Sequence, residues 1–268
     1  MADLDEIKQR QRNMWGQGDY TVLARQLAPA AVELCDACAV TAGQEVLDVA
    51  AGNGNFALAC AREGASVVAS DFAPRMVELG RARSEAEGYD IEWVEADAEA
   101  LPFEDARFDC AGSVFGAFIA PRPERAASEL FRVVRPGNTV GMTAWVPGGT
   151  FARLFELARR YSPLPEGVPR PDEWGDEDTA RSRLEGLAAH VEIERRTLPW
   201  TGESPEALVS EMAETTPSYV TARTTLSEEQ FAQLREDTLD FFGELNTADD
   251  GSVRIEAEYL VIVARKRG

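Results

Sequence analysis

From about residue 44 the chain alternates apolar runs with helical patterns, and this alternation limits its fold more than any other feature. EVLDVAAG reads as a buried strand, since parallel strands covered on both faces are almost continuously apolar. NFALACARE reads as a helix and ASVVASD as a second strand. PRMVELGRARSEAEG is a helix with Pro74 in its first turn, where a missing N–H costs nothing. DIEWVEAD is a third strand and RFDCAGSVFG a fourth. RPERAASELFRVVRPG sets Ala127, Leu130, Phe131 and Val134 on one helix face and closes at Pro136-Gly137. NTVGMTAWV is a fifth strand, and Phe151, Leu154, Phe155 and Ala158 share a face of the helix after it. Strands and helices in this order predict a parallel sheet with right-handed crossovers.

The flanks read differently. Residues 1–40 form an N-terminal cap of two helices, parted by Gly16-Gln17-Gly18, with Asp19 as N-cap of the second. Residues 41–160 are the core. Residues 161–268 complete the same structural unit: a proline-rich loop or bend at 162–176 and two late strands, HVEIERRTLPW and EAEYLVIVARK. Helical patterns at 204–214 and 227–243 form an insertion of about 201–252 before the last strand. In the second of them Phe231, Leu234, Thr238, Phe241 and Phe242 fall on one side. The insertion is expected to act as a lid.

Charge excludes one class of partner. Against 27 bases stand 47 acids, a formal net charge of −20, and such a field repels phosphate backbones. The arginines are scattered, and Lys8 and Lys266 are the lysines. Nucleic acid is therefore not an expected partner. No run of about 18 apolar residues appears, so no membrane span is expected. MADLDEIKQRQRNMWG lacks the basic and apolar regions of a secretion signal, so the expected location is cytoplasmic. Cys35 and Cys38 form a CxxC with no second pair for zinc. With Ala31 and Leu34 they follow helical spacing, so they read as small hydrophobes in a core, and no metal site is expected.

The first strand runs into Asp48-Val49-Ala50-Ala51-Gly52-Asn53-Gly54-Asn55. Gly52 and Gly54 permit a tight turn and close backbone approach to a ligand, and a helix N-terminus follows. The dinucleotide fingerprint would want a third glycine, where this chain has Ala57. Asp48, four residues before Gly52, would cap the turn.

VLDVAAGNGNFA resembles the first motif of class I S-adenosylmethionine-dependent methyltransferases, D-x-G/A-x-G-x-G, with Ala50 at the first glycine position. Asp71 ends the second strand, where that family holds both ribose hydroxyls of the cofactor on an acid. Asp97-Ala98 follows the third strand, where the family contacts the adenine. ALPFEDARFD resembles the "LPF…FD" passage of small-molecule and quinone methyltransferases. SELFRVVRPGN resembles the passage before the fifth strand, with Asn138 replacing a glycine. Trp15, Gly18-Asp19-Tyr20, Ser113-Val114-Phe115-Gly116, Trp145 and NTADDGS…EYLVIVA resemble a narrower bacterial group related to the quinone C-methyltransferases.

The resemblance implies an α/β, Rossmann-like seven-stranded, mostly parallel sheet with helices on both faces. It implies S-adenosylmethionine as cofactor and S-adenosylhomocysteine as product. Cofactor contacts are expected at Tyr20, Asp48, Ala50, Gly52, Gly54, Asn55, Asp71, Phe72, Met76, Asp97, Ala98 and Ser113. Acceptor contacts are expected at Trp15, Phe115, Phe118 and Trp145, with Phe151 read rather as core. A sulfonium methyl is already activated, so positioning can supply much of the rate and a strong base is optional. No catalytic residue stands out: His190 is the only histidine and begins a late strand. The expected reaction is methyl transfer to an O, N or C atom of a small, partly apolar molecule. An RNA or protein methyltransferase, and a fold of this type that binds the cofactor without transferring methyl or that catalyses a non-methylating reaction such as a cyclisation or elimination, are the alternatives. The oligomeric state is left open, a homodimer being one option.

Overall fold

The computed structural model describes residues 3–268. Seven strands form one sheet: β1 (Glu45–Val49), β2 (Ser66–Asp71), β3 (Ile91–Glu95), β4 (Phe108–Val114), β5 (Val134–Trp145), β6 (Ala188–Gly202) and β7 (Val253–Lys266). Their order is β3-β2-β1-β4-β5-β7-β6, with β7 antiparallel to both neighbours. The five strands from β3 to β5 are parallel, as the alternation predicts. The order reverses between β1 and β4, the place where α/β sheets leave a crevice at the strands' carboxyl ends.

The helices α1 (Leu4–Trp15), α2 (Tyr20–Ala37), α3 (Asn55–Arg62), α4 (Pro74–Glu87) and α5 (Pro123–Val133) precede β5. Asp19 caps α2 as expected, accepting from Thr21 N–H at 3.0 Å. Glycines let α2 and α3 sit close on one face of the sheet. A Cβ on Gly141 would lie 2.3 Å from Cys38 Sγ, and one on Gly112 would lie 2.2 Å from the Phe56 ring. Cys35, Cys38, Cys60 and Cys110 are all buried here with free thiols, as small core residues. No helix among the described residues is long and apolar enough to cross a membrane.

Three local expectations are corrected. The helix α5 ends at Val133, not at Pro136-Gly137: Val134 pairs with Phe108 and is fully buried, so VRPG belongs to an irregular start of β5. After α6 (Thr150–Arg159) and a 3-10 turn at Pro171–Gly175 comes an unexpected helix, α7 (Glu177–Leu184). It is nearly all polar and buries only Ala180 and Leu184, so it carries no apolar stripe to read. The insertion between β6 and β7 holds three helices rather than two: α8 (Pro205–Thr215), α9 (Pro217–Thr225) and α10 (Glu228–Leu245). In α9, PSYVTARTT is rich in β-branched residues, which weakens the helical signal.

Helix α4 packs on β3 around Trp93. Gly80 leaves room for the Trp93 ring, and a Cβ there would lie 2.0 Å from Cη2. Trp93 is buried and donates its indole N–H to Ser84 Oγ at 3.1 Å, so the ring cannot swing away cheaply. Gly→Ala inside a helix ordinarily gains about 1 kcal/mol. Overpacking a fixed ring costs about 1–3 kcal/mol and should win. Gly80→Ala is therefore expected to lower the urea midpoint; a rise would mean that Trp93 is free to move.

Candidate active site

The loop after β1 is built from left-handed residues. Ala50, Gly52 and Gly54 have φ of +52°, +56° and +89°. Glycine takes this region freely, whereas an alanine pays about 1–2 kcal/mol. Neighbours press on the loop from both sides: a Cβ on Gly52 would lie 2.6 Å from the Tyr20 ring, and one on Gly54 would lie 2.9 Å from Trp93. Asp48 lies behind it, 1% exposed, and accepts from Ala57 N–H at 2.9 Å. It thereby caps α3, whose N-cap Gly54 has no side chain to do so.

Asp71, at the end of β2, reaches across to the same loop. One carboxylate oxygen accepts from Gly52 N–H and the other from Ala73 N–H, each at 2.9 Å. Burial pushes its carboxyl up to about 6, against the pull of backbone N–H groups from Ala73, Gly52 and Phe72. Burial pushes Asp48 further, to about 8, with the Asp71 charge adding to the effect and the Ala57 bond opposing it.

A cleft opens over these strand ends. Of the residues expected at the site, Trp15, Tyr20, Ala50, Gly52, Asp71, Phe72, Met76, Asp97, Ala98 and Phe115 line it. Sequence reading missed Lys8, Gln11, Ala96, Glu99 and the run Gly116, Ala117, Ile119, Ala120 and Pro121. Lys8, Gln11 and Trp15 follow helical spacing, which was a usable signal for one face of α1. Glu99 offered none, since its burial depends on partners far away in sequence.

That burial is an ionic cluster. Glu99 is 1% exposed and accepts from Lys8 Nζ at 2.6 Å, Arg122 Nη1 at 2.9 Å and Arg122 N–H at 2.8 Å. Lys8 Nζ also reaches Asp97 at 2.6 Å, and Arg122 reaches Asp5 at 2.9 Å.

Several expected contacts are not brought to the cleft. Asp48 is spent on Ala57, and Gly54 on the approach of Trp93. Asn55 donates to Ala24 O at 2.8 Å and accepts from Arg83 at 2.8 Å, which turns its amide toward α2 and α4. Ser113 donates to Val49 O at 2.6 Å and accepts from Ala117 N–H at 2.8 Å, fastening β4 to β1. Phe118 and Trp145 are buried in the core behind the cleft, with Phe151, whose core reading holds. Trp145 stacks on Phe115 at 3.8 Å and on Phe151 at 4.2 Å. His190 is exposed and meets Glu192 at 3.0 Å. Nor does the insertion before β7 line the cleft as the expected lid: α9 touches α1 and α8 touches α2, so it backs the helices that do.

The two buried carboxyls set a pH dependence of stability. Both hold a proton more tightly folded than at the ordinary aspartate value of 3.8. Their contribution is complete below that value and is lost as pH rises, through about 6 for Asp71 and about 8 for Asp48. The melting midpoint of the ligand-free protein should fall from weakly acid to weakly alkaline pH. Asp48→Asn keeps an acceptor for Ala57 and should flatten that slope; an unaltered slope would show that Asp48 is not its source.

Comparison with known proteins bears on this geometry. Residues 46–137 match the family described as "Methyltransferase domain". An uncharacterized protein of Mycobacterium tuberculosis is 39% identical over 189 residues, 70% of this chain and 69% of its own. Demethylmenaquinone methyltransferase of Clavibacter sepedonicus is 42% identical over 180 residues, 60% of this chain and 71% of its own. Among solved structures, phosphoethanolamine N-methyltransferase 2 of Haemonchus contortus, in complex with S-adenosylhomocysteine, shares the fold. Its TM-score is 0.52 at 19% identity, over 85% of this chain and 50% of that one. The chain belongs to the class I S-adenosylmethionine-dependent methyltransferases, in the group that resembles the bacterial quinone methyltransferases.

Proposed function

We propose that this methyltransferase acts on an O, N or C atom of a small, partly apolar acceptor, such as a specialised metabolite or a quinone-like ring, in the cytoplasm. The observation that carries the reading is Phe115. It lines the cofactor cleft, and its ring lies on Trp145 at 3.8 Å with planes only 6° apart. An aromatic wall at the carboxyl end of β4 suits a flat, apolar acceptor better than a flexible or charged one. The name of the Clavibacter relative points the same way.

The cleft residues fit the cofactor. Each Asp71 oxygen spends one lone pair on a backbone N–H and keeps another for a ribose hydroxyl. Asp97, after the neighbouring strand β3, suits the adenine amine, and Phe72, Met76 and Ala98 offer apolar surface to the ring. Ala50 and Gly52 let the backbone come close. Burial and the charges of Asp71 and Asp48 raise the Tyr20 hydroxyl well above its ordinary value, so it stays a donor for the cofactor's carboxylate. The Trp15 indole N–H is buried without a partner among the described residues, which is costly unless a ligand accepts from it.

When bound, the cofactor supplies a methyl group already activated as a sulfonium. What the chain adds is position and dryness. The acids of the cleft are engaged: Glu99 with Lys8 and Arg122, Asp97 with Lys8, Asp71 with backbone. An acceptor that arrives ionised, or with a free lone pair, needs nothing more from them.

Methyl-labelled cofactor incubated with small phenols, hydroquinones and amines should yield S-adenosylhomocysteine and a labelled small product. Label carried only by protein or RNA, or no S-adenosylhomocysteine with any acceptor, would remove this reading. Asp71→Ala should weaken cofactor binding by about tenfold or more, the worth of hydrogen bonds to a charged group. In the unaltered protein, affinity should fall as pH drops below about 6, because a protonated Asp71 is a poorer acceptor. Calorimetry reads both effects, and equal binding by the variant would exclude Asp71 as the ribose anchor.

A further inference from the structure

Helix α1 covers the cleft, yet little apolar packing holds it there. Ile7 is its one buried residue. Beyond its contact with α9, its attachment is ionic. Asp5, Lys8, Arg12 and Trp15 recur at intervals of three and four and so share one face. Along that face Asp5 pairs with Arg122, Lys8 with Asp97 and Glu99, and Arg12 with Glu95. Gln11 adds a bond to Ile119 O at 3.2 Å. The partners lie at the end of β3, in the segment after it, and at the start of α5.

Lys8, Gln11 and Trp15 of α1 line the same cavity as Asp71, Phe72 and Met76. A cofactor in that cavity therefore lies under α1. We propose that α1 is a clasp that lifts to admit and release the cofactor, and that Lys8 is the positioning residue that closes it. One ammonium is shared between two carboxylates at 2.6 Å each. The same contact fixes Asp97, whose other oxygen already accepts from Glu99 N–H at 2.9 Å. Opening removes Lys8 from Glu99 and leaves that carboxylate with Arg122 alone, so closure is favoured and release is slowed.

The inference rests on the cofactor and not on the acceptor, so failure of an acceptor screen leaves it standing. The test is the rate at which labelled S-adenosylhomocysteine leaves the full-length protein after rapid dilution into unlabelled ligand. Lys8→Met should release it about tenfold faster, as expected for loss of a charge-assisted hydrogen bond. Lys8→Arg, which keeps the charge, should recover most of the difference. Raising ionic strength should speed release from the unaltered protein more than from Lys8→Met. A Lys8→Met protein that melts earlier but releases ligand at the original rate would make Lys8 merely structural and overturn the proposal. Should that variant not fold, Asp5→Asn decides. Its carboxylate is exposed and unneeded for the core, and about twofold faster release is expected; an unchanged rate would count equally against the clasp.

Discussion

The Asp71 carboxylate joins two pieces of chain that would otherwise part. It holds Gly52 N–H of the loop after β1 and Ala73 N–H at the head of α4, so the turn and the next crossover helix share one anchor. Burying a carboxylate is costly, and its protonation range moves up accordingly. The backbone bonds offset that cost and leave an oriented acceptor at the floor of the cleft. The loop needs such an anchor, because its left-handed residues include an alanine that would relax if untied. Asp48 does the complementary task on the other side, fastening the start of α3. The acids that end β1 and β2 thus build the loop before either meets a ligand.

This explains which parts of the site could be read from the sequence. The glycine turn and the acid at the end of β2 are local in origin: strand, turn and helix start follow one another within a few residues. The apolar runs of β1, β2 and β4 were equally plain, because a buried parallel strand has no polar face to confuse the pattern. Asn55 and Ser113 do not line the cleft, for one shared reason. Each stands beside the cleft in sequence, but its side chain is claimed by distant backbone, Ala24 O in one case and Val49 O in the other. A sequence names the residue and not the direction of its side chain. Helices α7 and α9 were missed because docking against neighbours, not intrinsic periodicity, keeps them helical.

The aromatic residues posed a different problem, since one stack serves both core and wall. Phe115 holds a φ of +50°, an unusual backbone for a bulky residue. Its ring meets Trp145, Trp145 meets Phe151, and Phe151 meets Trp200 at 4.8 Å. Only Phe115 reaches the cleft; the others support it from behind. A strained residue persists when its surroundings over-determine it, and stacked rings provide that constraint. Core and site are therefore not alternatives for these residues: the core of this region is the rigid back of the site.

Helix α1 stands at the opposite extreme. Twelve residues with one buried side chain form a helix that would be marginal in isolation. Its N-cap Asp3, the acids of its first turn and Arg12 in its last all favour helix locally, so the segment can keep its shape while its attachment changes. The attachments join residues 83 to 117 positions apart, from Arg12–Glu95 to Asp5–Arg122. The partners of such contacts leave no trace in the sequence of α1, which is why the segment could be read as a helical cap with Trp15 at the site but not as one held by ion pairs. A roof fixed by charge rather than by apolar area can leave without exposing a hydrophobic core to water, and its detachment need not unfold the sheet beneath. Tight packing makes the floor of this site permanent, and ion pairs make its cover reversible.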